Sequence, residues 1–181
     1  MQSNDTWDLE TIFTGGTQSQ ELQTKLTEIE KEIDAYAKVL RDWEFKNTPS
    51  SLETMKEIIN MQEVIGKALG QSHTFIRMWL DAYMNDEHGN VVLGQIMQLF
   101  SEVRKLSNTY TKKLVNISDE DWNRILTDKQ LSEVSFALNE IREDGKRLLS
   151  EAEEKLIAEL DQDGLAAWSN LYDTVIWMIT I

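Results

Sequence analysis

The chain has 181 residues, of which 41% are hydrophobic and 28% charged, with no cysteine and a formal net charge of −14. The lack of cysteine excludes disulfides, cysteine-ligated metals and thiol catalysis. The negative charge argues against nucleic acid as a partner, because an acidic surface repels phosphate. No stretch approaches the ~20 apolar residues that cross a bilayer, and the polar start does not resemble a signal peptide. We therefore expect a cytoplasmic protein that does not bind membranes.

Residues 1–18 are predicted to form an amino-terminal arm that packs on the rest of the chain. Trp7, Leu9 and Phe13 are its apolar side chains, and Gly15 and Gly16 follow them. Adjacent glycines favour a loop. They lack the lysine and the spacing of a phosphate-binding loop, so a flexible turn is the preferred interpretation.

Residues 19–116 are predicted to form three long amphipathic helices. The only proline is Pro49, and so few helix breakers favour long helices with short turns. The first helix begins near Ser19, with apolar residues at alternating steps of four and three. The second follows Pro49, where Ser50 and Glu53 have capping-box spacing, and it extends to about residue 85. Two such helices joined by a short turn predict an antiparallel hairpin.

The second and third helices have apolar stripes that need partners. Gly66 and Gly70 lie one turn apart in the second helix and favour either close approach of another helix or a local bend. A polar turn over residues 85–90, with Gly89 inside it, separates that helix from a third at about 91–115. The stripe predicted for the second helix comprises Leu52, Met55, Ile59, Gln62, Gly66, Leu69, His73, Ile76, Leu80 and Tyr83.

Residues 117–181 are predicted to form a subdomain of shorter helices. Ser118 with Asp121 opens the first, a single helix spans about 131–149, and Ser150 with Glu153 opens another. A last helix contains Trp168, Leu171, Tyr172 and Val175. The predicted fold class is all-α: a long antiparallel helical hairpin plus a third long helix, followed by several short helices, in one structural unit.

The patterns that carry hydrolytic chemistry are absent from the sequence. A helical zinc site needs two histidines one turn apart and a nearby carboxylate base. The two histidines, His73 and His88, are far apart in the chain, and neither precedes a glutamate. We expect His73 to be partly buried and His88 to be exposed. No Gly-x-Ser-x-Gly motif is present. We predict no catalytic, cofactor-binding or metal-binding residue and no cofactor in this chain.

Two acidic segments and the tryptophans each allow a second interpretation. Residues 151–154 could bind a cation, but negative charge also suits the first turn of a capped helix. Residues 161–164 lack the closing glutamate of a calcium loop and favour a helix end. The tryptophans on apolar faces are predicted to be core residues, with the lining of a hydrophobic groove as the alternative. They are Trp43, Trp79, Trp122 and Trp168.

Three segments, in order, resemble the amino-terminal region of oligoendopeptidase F-type zinc metallopeptidases. The first is Trp7, Asp8 and Leu9 followed by an Ile-Phe pair and a glycine. The second is residues 148–160, with the sequence Leu-Leu-Ser-Glu-Ala-Glu-Glu-Lys-Leu-Ile-Ala-Glu-Leu. The third is residues 163–173, with the sequence Asp-Gly-Leu-Ala-Ala-Trp-Ser-Asn-Leu-Tyr-Asp.

The resemblance implies a mostly helical cytoplasmic enzyme of roughly three times this length that cleaves short peptides in a channel between two halves. Zinc, its ligands and the catalytic glutamate belong to the carboxy-terminal half of that family, and no position here matches them. The resemblance therefore implies a non-catalytic amino-terminal domain that forms one wall of the channel and contacts the catalytic half.

The chain ends on residues 177–181, which are apolar except for Thr180; they favour a partner and suggest a domain boundary or a truncated gene. An apolar surface exposed in this way could drive self-association. The alternative function is a stand-alone helical scaffold or adaptor that binds partner helices. An enzyme in its own right is disfavoured by the absent motifs.

Overall fold

A computed structural model describes residues 8–149 and, beyond them, residues 153, 156–157, 160, 164, 167–168, 171–172 and 175–176. Within these residues the chain is helical and contains no strand, which confirms the all-α prediction. Two short 3-10 helices, Leu9–Thr11 and Gly16–Gln18, come first. The α-helices that follow are α1 (Gln20–Asp42), α2 (Pro49–Ala82), α3 (Glu87–Val115), α4 (Asp119–Ile125), α5 (Lys129–Glu133) and α6 (Ser135–Gly145).

Helices α1 and α2 form the predicted antiparallel hairpin. Near the start of α1, Lys25 Nζ donates to Gln71 Oε1 at 2.7 Å. Further along α1, Gln62 Nε2 donates to the Tyr36 hydroxyl at 2.7 Å. As the chain advances along α1, its partners on α2 move backward in the sequence, so the two helices run in opposite directions.

Helix α3 packs against both members of the hairpin. The His73 ring of α2 meets Phe100 edge-on at 5.7 Å between centroids. The Trp43 ring, just after α1, lies 5.8 Å from Tyr110 of α3. The carboxy-terminal ends of α1 and α3 therefore lie together, and α3 runs parallel to α1 and antiparallel to α2. The apolar faces of the three long helices form most of the core.

The amino-terminal arm packs on this bundle through two of its three predicted side chains. Leu9 and Phe13 are buried. Phe13 meets the Phe75 ring of α2 edge-on at 4.9 Å, a favourable arrangement for two aromatic rings. The third predicted side chain, Trp7, lies outside the described residues.

The amino terminus of α2 is capped by Thr48, so the capping box predicted at Ser50 and Glu53 is wrong. The Thr48 hydroxyl accepts a hydrogen bond from the Ser51 amide at 3.3 Å. Pro49 then occupies the first helical position, where its missing N–H is not needed. The proline thus begins the helix instead of preceding its cap.

Helix α3 begins at Glu87, four residues before its predicted start. Asp86 caps it, with Oδ1 accepting from the Gly89 amide at 3.0 Å. Asp86 Oδ2 accepts two further hydrogen bonds, from Thr17 Oγ1 at 2.8 Å and from Trp79 Nε1 at 2.9 Å. One carboxylate therefore joins the second 3-10 helix, the end of α2 and the start of α3. Gly89 belongs to the first turn of α3 and not to a loop.

The buried face of α2 differs from the predicted stripe. Gly66 and Tyr83 are exposed, whereas Ile58, Ile65 and Phe75, outside that stripe, are buried. The helix packs against α1 on one side and α3 on the other, so its buried sector is wider than one row of residues. A Cβ atom at Gly66 or Gly70 would meet nothing within 4 Å, so no helix approaches closely there.

The single helix predicted over 131–149 is two helices, α5 and α6, separated at Val134. Asp128 caps α5 by accepting from the amides of Gln130 at 2.9 Å and Leu131 at 3.3 Å. Asp128 also pairs with Lys56 of α2 at 2.9 Å. Helix α6 packs on α3, whereas α5 is joined to α2 through the Asp128–Lys56 pair at its start.

A lysine from α3 closes the carboxy-terminal end of α1. Lys113 Nζ donates to the carbonyl oxygens of Leu40 at 2.8 Å, Arg41 at 3.3 Å and Trp43. The last carbonyls of a helix have no partner within it, and the helix dipole makes that end negative. The ammonium group therefore satisfies these carbonyls and fixes the relative position of α1 and α3.

Two tyrosines lie in the core near this junction. Tyr36 of α1 and Tyr110 of α3 are both buried. The Tyr36 hydroxyl is hydrogen-bonded to Gln62, whereas the Tyr110 hydroxyl has no hydrogen-bond partner among the described residues. A buried hydroxyl without a partner destabilises a fold by roughly 1–3 kcal/mol.

Replacing Asp86 with Asn tests the junction that Asp86 forms. Asn keeps an acceptor for the Gly89 amide, but its NH₂ group faces the indole N–H of Trp79, which can only donate. The Thr17 hydroxyl would have to turn and accept instead of donating. We expect the free energy of unfolding in urea at pH 7 to fall by about 1–3 kcal/mol. Asp81→Asn, on the exposed surface of α2, is the matched control and should change it by less than about 0.5 kcal/mol.

The same pair of variants has a predicted pH dependence. The hydrogen bond from Gly89, with those from Thr17 and Trp79, lowers the pKa of the Asp86 carboxyl. A lowered pKa stabilises the fold above the unfolded value, near 3.9 for Asp. The advantage of the wild type over Asp86→Asn should persist from pH 7 to pH 5 and shrink below pH ~4. If the difference in the free energy of unfolding between the wild type and Asp86→Asn stayed constant down to pH 2, the lowered pKa of Asp86 would be contradicted.

A glycine at the end of α6 allows this helix to approach α3. A Cβ atom at Gly145 would lie 2.5 Å from Thr111 Cγ2 and 2.7 Å from Val115 Cγ2. Since β-branched side chains are stiff, we expect Gly145→Ala to lower the free energy of unfolding by about 1–3 kcal/mol. Gly94→Ala, where the added methyl meets open space, should raise it by about 0.5–1 kcal/mol. Both variants are measured by thermal unfolding. Equal changes in the free energy of unfolding for Gly145→Ala and Gly94→Ala would argue against close packing at Gly145.

Candidate functional site

The segment that follows the three long helices is held to them by one buried arginine. Arg142 of α6 is only 6% exposed. Its Nε donates to the Leu114 carbonyl at 3.2 Å, and its Nη2 donates to the Ile117 carbonyl at 2.5 Å. Its Nη1 pairs with the exposed carboxylate of Asp119 at 2.9 Å. The guanidinium thus satisfies carbonyls where α3 ends and contacts the start of α4.

An aromatic ring covers the same guanidinium. The Arg142 guanidinium carbon lies 5.0 Å from the centroid of the buried Trp122 ring, within the range of a cation–π interaction. Trp122 Nε1 donates to Asn139 Oδ1 at 2.7 Å, which satisfies the indole N–H. Ser118 caps α4 by accepting from the Asp121 amide at 3.1 Å, as predicted. These contacts attach α4 and α6 firmly to the end of α3.

Beyond α6, the described apolar side chains are exposed. Trp168 is 70% exposed, Tyr172 66% and Leu160 64%. The residues described there are predominantly helical. No large apolar side chain described between residues 149 and 176 is buried. We call this set the carboxy-terminal apolar surface: Leu149, Leu156, Ile157, Leu160, Trp168, Leu171, Tyr172, Val175 and Ile176.

The tryptophan prediction holds for three of the four residues. Trp43, Trp79 and Trp122 are buried, and each indole N–H has a partner: the Ser51 carbonyl, Asp86 and Asn139. Trp168 is exposed, so its assignment to the core is wrong. The other large apolar side chains described beyond residue 149 are exposed as well.

The two histidines have the predicted exposures. His73 is partly buried on α2 beside Phe100, and His88 is exposed in the first turn of α3. Within the described residues, no group of three or more His, Cys, Asp or Glu side chains could hold a metal ion. The acidic segments at 151–154 and 161–164 lie largely outside the described residues. Over the part of the chain with described structure, no helix is long and apolar enough to cross a membrane.

Residues 113–178 match the amino-terminal model of the M3 peptidase family, described as Oligopeptidase F. The match begins at Lys113 and includes Arg142 and every residue of the carboxy-terminal apolar surface. It also includes two of the three segments on which the predicted resemblance rests. M3 peptidases are metallopeptidases.

A curated relative extends the resemblance over most of the chain. An oligoendopeptidase F homolog from Borreliella burgdorferi is 20% identical over 158 residues. The alignment covers 87% of this chain but 25% of the relative, so the chain spans about a quarter of its length. No solved structure matches the chain significantly. The predicted resemblance to the amino-terminal domain of an oligoendopeptidase F-type peptidase is therefore confirmed.

Sequence reasoning did not identify the role of Arg142. Arg142 lies one turn after Leu138 on the buried row of α6, but an arginine on a short amphipathic helix is usually exposed. Only the contact between α3 and α6 reveals that it meets the end of another helix. The exposure of the carboxy-terminal apolar surface also depends on tertiary packing, because periodicity identifies an apolar face but not its partner.

Replacing Arg142 with Met tests the anchor. Met retains much of the apolar length but removes the Arg142 hydrogen bond to the Ile117 carbonyl. It also removes one of two hydrogen bonds to the Leu114 carbonyl, which accepts from the Ile117 amide at 3.2 Å as well. We expect the free energy of unfolding to fall by about 2–4 kcal/mol, as measured in urea. Arg124→Met is the matched control on the exposed surface of α4 and should change it by less than about 0.5 kcal/mol. An equally mild effect at both positions would show that Arg142 is dispensable.

Proposed function

We propose that this chain is the non-catalytic amino-terminal domain of an oligoendopeptidase F-like zinc metallopeptidase. In this proposal, it forms one wall of the peptide-binding channel and contacts the catalytic half of the same polypeptide. The catalytic half contributes the zinc site, and this chain contributes no catalytic residue.

One observation supports the interdomain contact above all: the exposure of the carboxy-terminal apolar surface. Trp168, Tyr172 and Leu160 are helical and mostly exposed, within the region that matches the family model. Burying one large apolar side chain is worth roughly 1.5–3 kcal/mol. Several large exposed apolar side chains within one short stretch of chain are typical of a binding interface. The length of the relative indicates the natural occupant, namely the polypeptide that follows this region in the family.

A stand-alone scaffold is the rival function, and the same surface favours it in one respect. Exposed helical apolar residues could bind partner helices or a second copy of the chain. The two functions differ in what is encoded next to this region.

The first test is to sequence the genomic locus beyond the codon for Ile181. We expect an open reading frame that encodes a His-Glu-x-x-His helix a few hundred residues downstream. An immediate stop codon would contradict the proposal and favour the scaffold. The purified 181-residue chain should show no chelator-sensitive cleavage of a fluorogenic peptide, whereas the full-length product should cleave it.

A charge placed on the carboxy-terminal apolar surface distinguishes an interdomain contact from a local packing role. In the isolated chain, Trp168→Asp should change the free energy of unfolding by less than about 0.5 kcal/mol, because the side chain is already exposed. In the full-length protein it should lower the stability of the contact by about 2–3 kcal/mol, measured by thermal unfolding. Met97→Asp, on the exposed face of α3, is the control and should have no such additional effect. Equal effects of Trp168→Asp in both proteins would argue against the interface.

A further inference from the structure

A second surface, formed by residues 53–63 and 130–134, combines apolar and acidic side chains. A cleft of about 660 Å³ lies between α2 and α5. Ile59, Leu131 and Val134 provide its apolar side. Leu131 is buried and Val134 is exposed, so the cleft presents apolar surface that extends inward from solvent. We call it the α2–α5 cleft.

The walls of the α2–α5 cleft are predominantly acidic. Glu53, Glu57 and Glu63 line it together with a single cationic side chain, Lys56. Lys56 is already engaged, because it pairs with Glu53 at 2.9 Å and with Asp128 at 2.9 Å. Its positive charge is therefore shared between two carboxylates and is not available to cancel the others.

The three glutamates differ in whether their charge is compensated. Glu53 pairs with Lys56, and Glu63 pairs with Lys67 one turn further along α2. Glu57 is exposed and has no ion pair or hydrogen bond with any described residue. In the sequence it lies between the other two, and it lines the same cleft as Ile59, Leu131 and Val134. A cationic ligand could therefore pair with Glu57 without displacing a lysine from it.

Glu57 also borders a second cleft, of about 450 Å³, beside the loop between α1 and α2. Asp42 and Glu44 line that cleft as well, with Lys46 as its basic residue. Each cleft thus contains three carboxylates against one ammonium group, and Glu57 is common to both. The negative potential around Glu57 is reinforced from both sides.

We propose that the α2–α5 cleft binds a short peptide in which a basic side chain lies next to an apolar one. The basic group contacts the Glu57 carboxylate, and the apolar side chain packs on Ile59, Leu131 and Val134. Charge complementarity selects the cation, and the apolar floor distinguishes such a peptide from a simple polyamine. The inference goes beyond the proposed function, because it concerns binding by this chain itself.

The peptide acetyl-Gly-Leu-Lys-Leu-Gly-amide is titrated into the 181-residue chain. Binding is measured by isothermal titration calorimetry and by the NMR chemical shifts of the backbone amides. We expect saturable binding, with shifts concentrated at residues 53–63 and 130–134. Glu57→Gln should weaken binding about three- to fivefold, the upper range for one exposed ion pair. Glu32→Gln removes the same charge from the exposed surface of α1 and should leave the Kd within about 1.5-fold.

Two valine variants test the contribution of the apolar side of the cleft. Val134→Thr, which replaces a methyl group of the cleft by a hydroxyl, should weaken binding about two- to threefold. Val64→Thr, on the exposed face of α2 outside the cleft, should not. A peptide with Gln in place of Lys, or with Ser in place of both Leu residues, should bind more weakly than the parent peptide.

Four results would overturn the inference. Equal weakening by Glu57→Gln and Glu32→Gln would indicate diffuse attraction to an acidic protein. Undiminished binding of either altered peptide would show that one half of the recognition is absent. Shifts confined to residues 156–176 would place the peptide on the carboxy-terminal apolar surface. Absence of saturable binding would exclude the site, while leaving the proposed interdomain contact untouched.

Discussion

The structure depends on cations that close the carboxy-terminal ends of its helices. The last carbonyls of α1 accept hydrogen bonds from Lys113 of α3, and the carbonyls where α3 ends accept them from Arg142 of α6. Each donor comes from a helix later in the chain. The end of one helix is therefore completed only when a later helix has packed against it. This arrangement joins local helix formation to the tertiary fold, because neither set of carbonyls has enough partners within its own helix.

A third polar group acts in the same way at the other end of the bundle. The Asp86 carboxylate accepts from an amide at the start of α3, from the indole of Trp79 and from the hydroxyl of Thr17. The three junctions are made by two cations and one anion, each placed at the helix end whose dipole favours its charge. The apolar core fills the space between the helices whose ends these groups hold.

The sequence was sufficient to predict the number and order of the long helices, because each carries a long apolar periodicity. It was less informative about which side of α2 is buried. Helix α2 packs against both α1 and α3, and its apolar residues occupy several adjacent rows. Periodicity alone therefore did not show that the row through Ile58 and Ile65 is buried, or that Gly66 and Tyr83 are exposed. Nor does a proline or glycine mark the break at Val134, which depends on the Asp128 cap and on the surface of α2. The family resemblance was predictable from short motifs, whereas the anchoring role of Arg142 and the exposure of Trp168 were not.

The two core tyrosines limit the pH up to which the fold is stable. Burial raises the pKa of Tyr36 to about 12, against a weaker opposing effect of its hydrogen bond from Gln62. Burial, reinforced by repulsion from Tyr36, raises the pKa of Tyr110 as well. A raised pKa means that the neutral phenols stabilise the fold fully below the unfolded value, near 10, and that this stabilisation is lost as the pH rises beyond it. In strong alkali the unfolded chain can form phenolates that the core cannot accommodate. High pH should therefore unfold the protein through side chains buried between α1 and α3, and not only through groups on its surface.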